Sequence, residues 1–179
     1  MASTRGVSPD PGPLSAPAAG SYPRRGERFP TFELSDPRGE TVRVPDSPTL
    51  LVFLRGHWCE YCQAQLRELA VEADSFRGCG IRIVALSTDD AETCRAFAVE
   101  IGDAFPVLSD PGAALVRRLG LLDPAPDLPR LTSYPAVFLI DGPGKVRFFY
   151  IGRTPADRPS CELLLLAAER MSAEGEDAS

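Results

Sequence analysis

Apolar positions along this chain fall into two kinds of run. Leu50-Leu-Val-Phe-Leu54 is an unbroken apolar stretch of the length expected for a strand buried on both faces. Arg55-Gly-His57 interrupts it, and from Cys62 the apolar residues Leu66, Leu69, Ala70, Ala73 and Phe76 recur by threes and fours, as on one face of an amphipathic helix. Gly78-Cys-Gly80 ends that helix, and Ile81 to Ser87 predicts a second buried strand. Asp89-Asp-Ala-Glu92 carries the acceptor and the acid of a capping box, opening a helix with Cys94, Phe97, Ala98 and Ile101 on its apolar face. A short strand over Phe105–Asp110 and a short helix over Ala113–Leu119 follow, the helix stopped by Gly120. Tyr134–Asp141 and Val146–Ile151, joined by Gly142-Pro-Gly-Lys145, read as an antiparallel hairpin. Pro159-Ser160 can open a last helix running from Cys161 to about Met171.

Upstream, Phe29–Ser35 and Glu40–Val44 flank the turn Asp36-Pro-Arg-Gly39 and predict an N-terminal β-hairpin that covers one edge or end of the sheet. The order of elements predicts an α/β fold with a mixed central sheet and helices on both faces. The domain is expected over residues 23–171, between a flexible Pro-, Ala- and Ser-rich tail over 1–22 and a flexible acidic tail over 172–179. Leu163 to Leu166, four leucines in a row, fit either burial against the sheet or a homodimer contact.

At 179 residues the chain is long enough to bury one continuous core. The net charge of −6 and the dispersed arginines argue against nucleic acid as a partner. No stretch approaches eighteen apolar residues and the first twenty hold no signal-like apolar core, so no membrane association and a cytoplasmic location are expected. Five cysteines are too few, and odd in number, for a secreted disulfide scaffold.

Two of those cysteines, Cys59 and Cys62, fall where the first buried strand passes into its helix. Backbone N–H groups of a first helical turn favour a negative charge, and the thiolate is the nucleophilic form of cysteine. A Cys-x-x-Cys pair there reads as a reversible dithiol/disulfide couple. The same spacing is half of a zinc site, with His57 as a third ligand, or an inert packed pair. Cys94 lies in a core stripe, and Cys161 at a helix start is a bystander or a remote resolving thiol. No organic cofactor motif is present, and no cofactor is expected.

The segments Val52–Leu66, Ala85-Leu-Ser-Thr-Asp89, Phe105–Pro111, Tyr134–Asp141 and Arg158-Pro159 together resemble thioredoxin-fold proteins, and more narrowly the peroxiredoxin-like redoxins of the alkyl hydroperoxide reductase and thiol-specific antioxidant family. The resemblance implies a thiol oxidoreductase that reduces hydroperoxides or protein disulfides and is restored by an external thiol reductant such as thioredoxin. It makes Cys59 the exposed nucleophile and Cys62 the resolving thiol, with Trp58, Tyr134, Pro135 and Arg55 as substrate-positioning residues. Pro135 matches the thioredoxin proline whose preceding bond is cis, placed to hydrogen-bond an extended substrate chain. Aligned with true peroxiredoxins, Cys62 takes the peroxidatic position, while Arg55, Cys59 and Pro135 stand where that family has Pro, Thr and Arg. Arg55 or Arg130 is then the candidate electrostatic substitute. Phe53 and Gln65 replace the acids that relatives use as proton acceptors, which passes that task to Glu60, Tyr61, His57 or water. Glu60 beside Cys59 is expected to disfavour the thiolate.

Overall fold

The computed structural model describes Leu14, residues 22–124 and residues 130–176. The expected N-terminal tail, except Leu14 and Tyr22, lies outside the described residues, as do positions 125–129 of the Pro-rich connection and the last three residues of the expected acidic tail.

A five-stranded sheet forms the centre, in the order β5 (Val107–Ser109), β4 (Arg82–Ser87), β3 (Thr49–Phe53), β6 (Ala136–Ile140) and β7 (Val146–Ile151). β3, β4 and β5 run parallel, whereas β6 and β7 run antiparallel to their neighbours. All five residues of β3 are buried, which is why residues 50–53 are apolar without alternation. Leu50, Val52 and Leu54 face one core, and Leu51 and Phe53 face the other.

Right-handed crossovers decide what covers each face. The chain steps from β3 to β4 to β5 in one direction, so α1 (Glu60–Val71), α2 (Ala73–Gly78) and α3 (Ala91–Glu100) fall on the same side, joined by α5 (Cys161–Glu176). From the edge strand β5 the chain returns across the sheet to the antiparallel β6, and α4 (Ala114–Arg118) packs on the opposite side. There it meets Phe29, Phe32 and Val44 from the hairpin of β1 (Phe32–Ser35) and β2 (Thr41–Val44). Phe29, Phe53 and Phe149 surround Phe138 in tilted and stacked contacts.

Several local expectations change. The first helix breaks at Glu72 instead of running on to Gly78, because Glu72 leaves helical geometry at ψ 8° and Ser75 Oγ bonds its side chain at 2.8 Å, a break that turns Phe76 into the core. Asp90, not Asp89, caps α3, accepting from Thr93 N at 2.8 Å. Asp89 is occupied elsewhere, holding the loop before α1. The last helix continues to Glu176, five residues beyond the expected end, and Arg147 pairs with Glu174 in that extension. Leu164 is buried and Leu165 packs against the core, while Leu163 and Leu166 are exposed. Among the described residues no helix is long and apolar enough to cross a membrane.

Candidate active site

β3 delivers its carboxyl end to the centre of the sheet, and four side chains, three of them from distant segments, pin the loop that follows. Ser133 Oγ donates to Leu54 O at 2.8 Å, and Thr132 Oγ1 donates to Arg55 O. Asp89 Oδ2 accepts from His57 N at 2.7 Å, and Gln63 Nε2 donates to His57 O at 2.7 Å. Gly56, at φ 150°, lets the chain turn beneath Trp58: a Cβ there would collide with the indole Nε1. Trp58 is 38% exposed, and the Arg55 guanidinium stacks 5.2 Å from its ring centre, so the indole forms a lid on this loop.

Cys59 is the N-cap of α1, in extended geometry, with Cys62 N and Gln63 N both bonded to its carbonyl. Its side chain makes no capping bond, which leaves the sulfur to interact with Cys62. Contrary to the expected exposed nucleophile, Cys59 is only 4% accessible and Cys62 is wholly buried. Arg158, from the segment before α5, and the Arg55 N–H of the loop stand against these sulfurs. All five cysteines are free thiols.

The strongest cation at the dithiol is one that the motif did not single out. Arg158 Nη2 lies 3.0 Å from Cys62 Sγ and 3.9 Å from Cys59 Sγ, while its Nη1 donates to Gln65 Oε1 at 2.5 Å and its Nε to Pro155 O at 3.0 Å. A tight turn aims it: Asp157 accepts from Tyr150 OH and from Arg153 N. In the sequence, only the resemblance carried by the Arg158-Pro159 pair signals this residue. Arg130, the other candidate cation, is exposed.

These neighbours divide the two thiols. A hydrogen bond from Cys62 is the largest influence on Cys59 and lowers its pKa to about 6, aided by the Cys62 backbone and by the charges of Arg158 and Arg55, against the opposing effect of burial. Burial, and then the bond it donates to Cys59, push Cys62 well above the ordinary thiol value, although Arg158 and the Arg55 N–H at 3.2 Å both favour its anion. These influences favour the anion on Cys59 and the proton on the more buried sulfur of Cys62. Glu60, expected to disfavour the thiolate, is exposed, and the influences on Cys59 come from Cys62, burial, Arg158 and Arg55.

The remaining expected site residues are placed differently. His57 turns away toward α3, its Nε2 2.8 Å from Glu100 Oε1 and its ring edge-on to Phe97, so it serves neither as base nor as a ligand beside the sulfurs. Tyr134 is 1% exposed and has no surface for a substrate. The Tyr134–Pro135 bond is trans; the cis bond among the described residues is Val44–Pro45. Tyr134 N donates to Leu121 O and Pro135 O accepts from Gly152 N at 2.7 Å, so the chain enters β6 in an extended path already paired on both sides. Arg55 is buried against Asp123 at 3.3 Å, not presented to solvent. Cys94 is buried, its pKa raised to about 12 chiefly by that burial, and Cys161 is raised to about 11 for the same reason, so neither is an activated thiol. Among the described residues no three His, Cys, Asp or Glu side chains form a group able to hold a metal ion.

A profile of the AhpC/TSA family matches residues 25–149, the stretch that contains the dithiol, the loop around it and all but the last two residues of the sheet. The chain belongs to the AhpC/TSA family. The thiol-disulfide oxidoreductase ResA of Bacillus subtilis is 30% identical over 124 residues, covering 68% of this chain and 64% of that protein. A peroxiredoxin of Aeropyrum pernix is 28% identical over 142 residues, covering 72% of this chain and 54% of the relative. The chain thus spans between about half and two thirds of the length of these relatives. Among solved structures, the peroxidoxin BcpB from Mycobacterium tuberculosis superposes with a TM-score of 0.71 at 22% identity, covering 84% of this chain and 98% of that one. The yeast mitochondrial 1-Cys peroxiredoxin, whose thiol is resolved via glutathione/thioredoxin systems, gives 0.74 at 16% identity, covering 87% and 79%. Both structural likenesses concern the fold, which is the thioredoxin-like fold of peroxiredoxins.

Proposed function

We propose that this AhpC/TSA-family protein is a thiol-dependent oxidoreductase whose Cys59 thiolate attacks a small oxidant, a hydroperoxide, and whose Cys62 resolves the product. The observation that carries this reading is the geometry of the pair: Cys59 caps α1, Cys62 lies one turn inside it, and Arg158 Nη2 stands 3.9 Å and 3.0 Å from their sulfurs, an arrangement that favours the anion on Cys59. The Cys59 sulfur attacks the terminal peroxide oxygen, the O–O bond breaks, and the leaving alkoxide takes a proton from solvent, giving Cys59 sulfenic acid and an alcohol. Cys62 then attacks the sulfenic sulfur, forming the Cys59–Cys62 disulfide and water. An external thiol, oxidised to its own disulfide, restores both thiols by exchange. A glutathione or thioredoxin system of the kind named for the yeast neighbour fits that role, and a reducing compartment such as the cytoplasm fits the cycle.

Burial favours the small oxidant, since a sulfur that is 4% accessible beneath a loop is reached by a hydroperoxide more readily than by a folded protein disulfide. The backbone beside Pro135 favours it too, because its hydrogen-bonding groups are taken by Leu121 and Gly152. Protein disulfide reduction is the second reading, favoured by the likeness to ResA and the Cys-x-x-Cys spacing. Stopped-flow Trp58 fluorescence of the reduced protein mixed with micromolar hydrogen peroxide, with insulin reduction in parallel, separates them. A rapid change with loss of two hydrogens by mass supports the peroxidase. No change within seconds, alongside brisk insulin reduction, replaces it with the disulfide reductase, and failure to link Cys59 to Cys62 under any oxidant refutes both.

A further inference from the structure

A buried ion pair that the proposed cycle does not use stands directly behind the dithiol loop. Asp123 Oδ2 lies 3.3 Å from Arg55 Nη2, with side-chain exposures of 2% and 6%. The backbone on the acid's side is tied to the same loop: Leu122 bridges to Ser133, Asp123 N donates to Thr132 O at 2.9 Å, and Thr132 Oγ1 donates to Arg55 O. Arg55 reaches the site through three contacts. Its backbone N–H points at Cys62 Sγ, its charge acts on Cys59, and its guanidinium carries the Trp58 indole. A guanidinium this buried without a carboxylate is strongly unfavourable, so the position of Arg55 depends on Asp123.

We infer that Asp123 is a positioning residue for the dithiol: through Arg55 it holds the loop carrying Trp58 and Cys59 and sets how much uncompensated positive charge stands beside the two sulfurs. The inference rests on the thiol cycle proposed above, but its sign follows from charge alone. Cys59 faces Cys62 from α1, Arg158 from the segment before α5, and Arg55 from the loop; Arg55 faces Asp123, whose charge also bears on the buried phenol of Tyr134. Asparagine at 123 keeps the shape and an acceptor oxygen but removes the negative charge. Arg55 then acts on Cys59 without compensation, and the thiolate is favoured further.

The test is the pH midpoint of Cys59 alkylation by iodoacetamide in the reduced full chain, read by mass spectrometry of the Cys59 peptide. In Asp123→Asn the midpoint is expected to fall by roughly half a unit to one unit, and Asp123→Glu is expected to return it toward the wild-type value. An unchanged or raised midpoint in folded Asp123→Asn overturns the inference. Should that variant not fold, the double replacement Arg55→Met with Asp123→Leu, which exchanges the ion pair for apolar side chains, takes its place. There the attraction of Arg55 is lost and the midpoint is expected to rise; a wild-type midpoint overturns the inference. A wild-type protein that never joins Cys59 to Cys62 removes the proposed cycle, yet these midpoints still decide the role of Asp123.

Discussion

Replacing Arg158 with methionine removes the cation that touches both sulfurs while keeping an unbranched side chain in its place. The guanidinium stands 3.0 Å from the Cys62 sulfur and 3.9 Å from the Cys59 sulfur, and a thioether reproduces neither interaction. A hydrogen bond to a charged group contributes about 1.5–3 kcal/mol, and one pKa unit corresponds to about 1.36 kcal/mol, so the Cys59 midpoint should rise by about one to two units. Starting from about 6, it arrives near 7 to 8. Cys59, roughly nine-tenths thiolate at pH 7 in the wild type, then falls to about half or less, and its alkylation at that pH slows by roughly two- to tenfold. Loss of Arg158 pushes Cys62 further up as well, so no second thiol enters the titration. Iodoacetamide rates measured from acid to alkaline pH give the midpoint directly. A midpoint indistinguishable from the wild type, in a variant with native circular dichroism, would refute the claim that Arg158 tunes this thiol.

The same geometry fixes three other outcomes. Reduction of the disulfide takes up two protons below the Cys59 pKa and one above it, so the midpoint potential should fall by about 59 mV per pH unit below about 6 and about 30 mV above, as read by glutathione redox titration. A steeper slope persisting to pH 8 contradicts the lowered Cys59. Asp110, 4% exposed, accepts from the N–H groups of Ala114, Leu115 and Val116, and Asp110→Ala should lose about 2 kcal/mol in urea unfolding with an unchanged m-value. A Cβ on Gly152 would collide with Asp157 O and lie 2.7 Å from Pro135 Cγ, so Gly152→Ala must displace the turn that aims Arg158. It should cost about 1–3 kcal/mol and raise the Cys59 midpoint, and a variant that leaves both untouched shows that the turn does not set the guanidinium.

Much of the sheet is legible in the sequence because periodicity reports burial directly: the apolar runs 50–53 of β3 and 83–86 of β4 are central strands, and the threes-and-fours after Cys62 form the buried face of α1. The break at Glu72 and the choice of Asp90 over Asp89 are not legible, since each depends on which side chain a tertiary partner claims first. Asp89 is drawn to His57 N and Ser87 Oγ, contacts that no local pattern announces. The dithiol and its place at a helix mouth can be read from spacing, but its electrostatics cannot. Arg158 stands 96 residues from Cys62, and Asp123 stands 68 residues from Arg55. A reading confined to the motif therefore weighs Glu60, the neighbour in sequence, instead of Arg158, the neighbour in space. His57 shows the opposite error, adjacent in sequence yet drawn off by Glu100 and Phe97.

The hydroxyl ties from Thr132 and Ser133, the carboxylate of Asp123 and the guanidinium of Arg158 all arrive from the second half of the chain. Until those parts are in place, Cys59 is an ordinary thiol near its reference value of 9.0 and almost entirely protonated at neutral pH. Nucleophilicity here is conferred by completion of the tertiary structure, so nascent or unfolded copies carry the two sulfurs in a comparatively inert form.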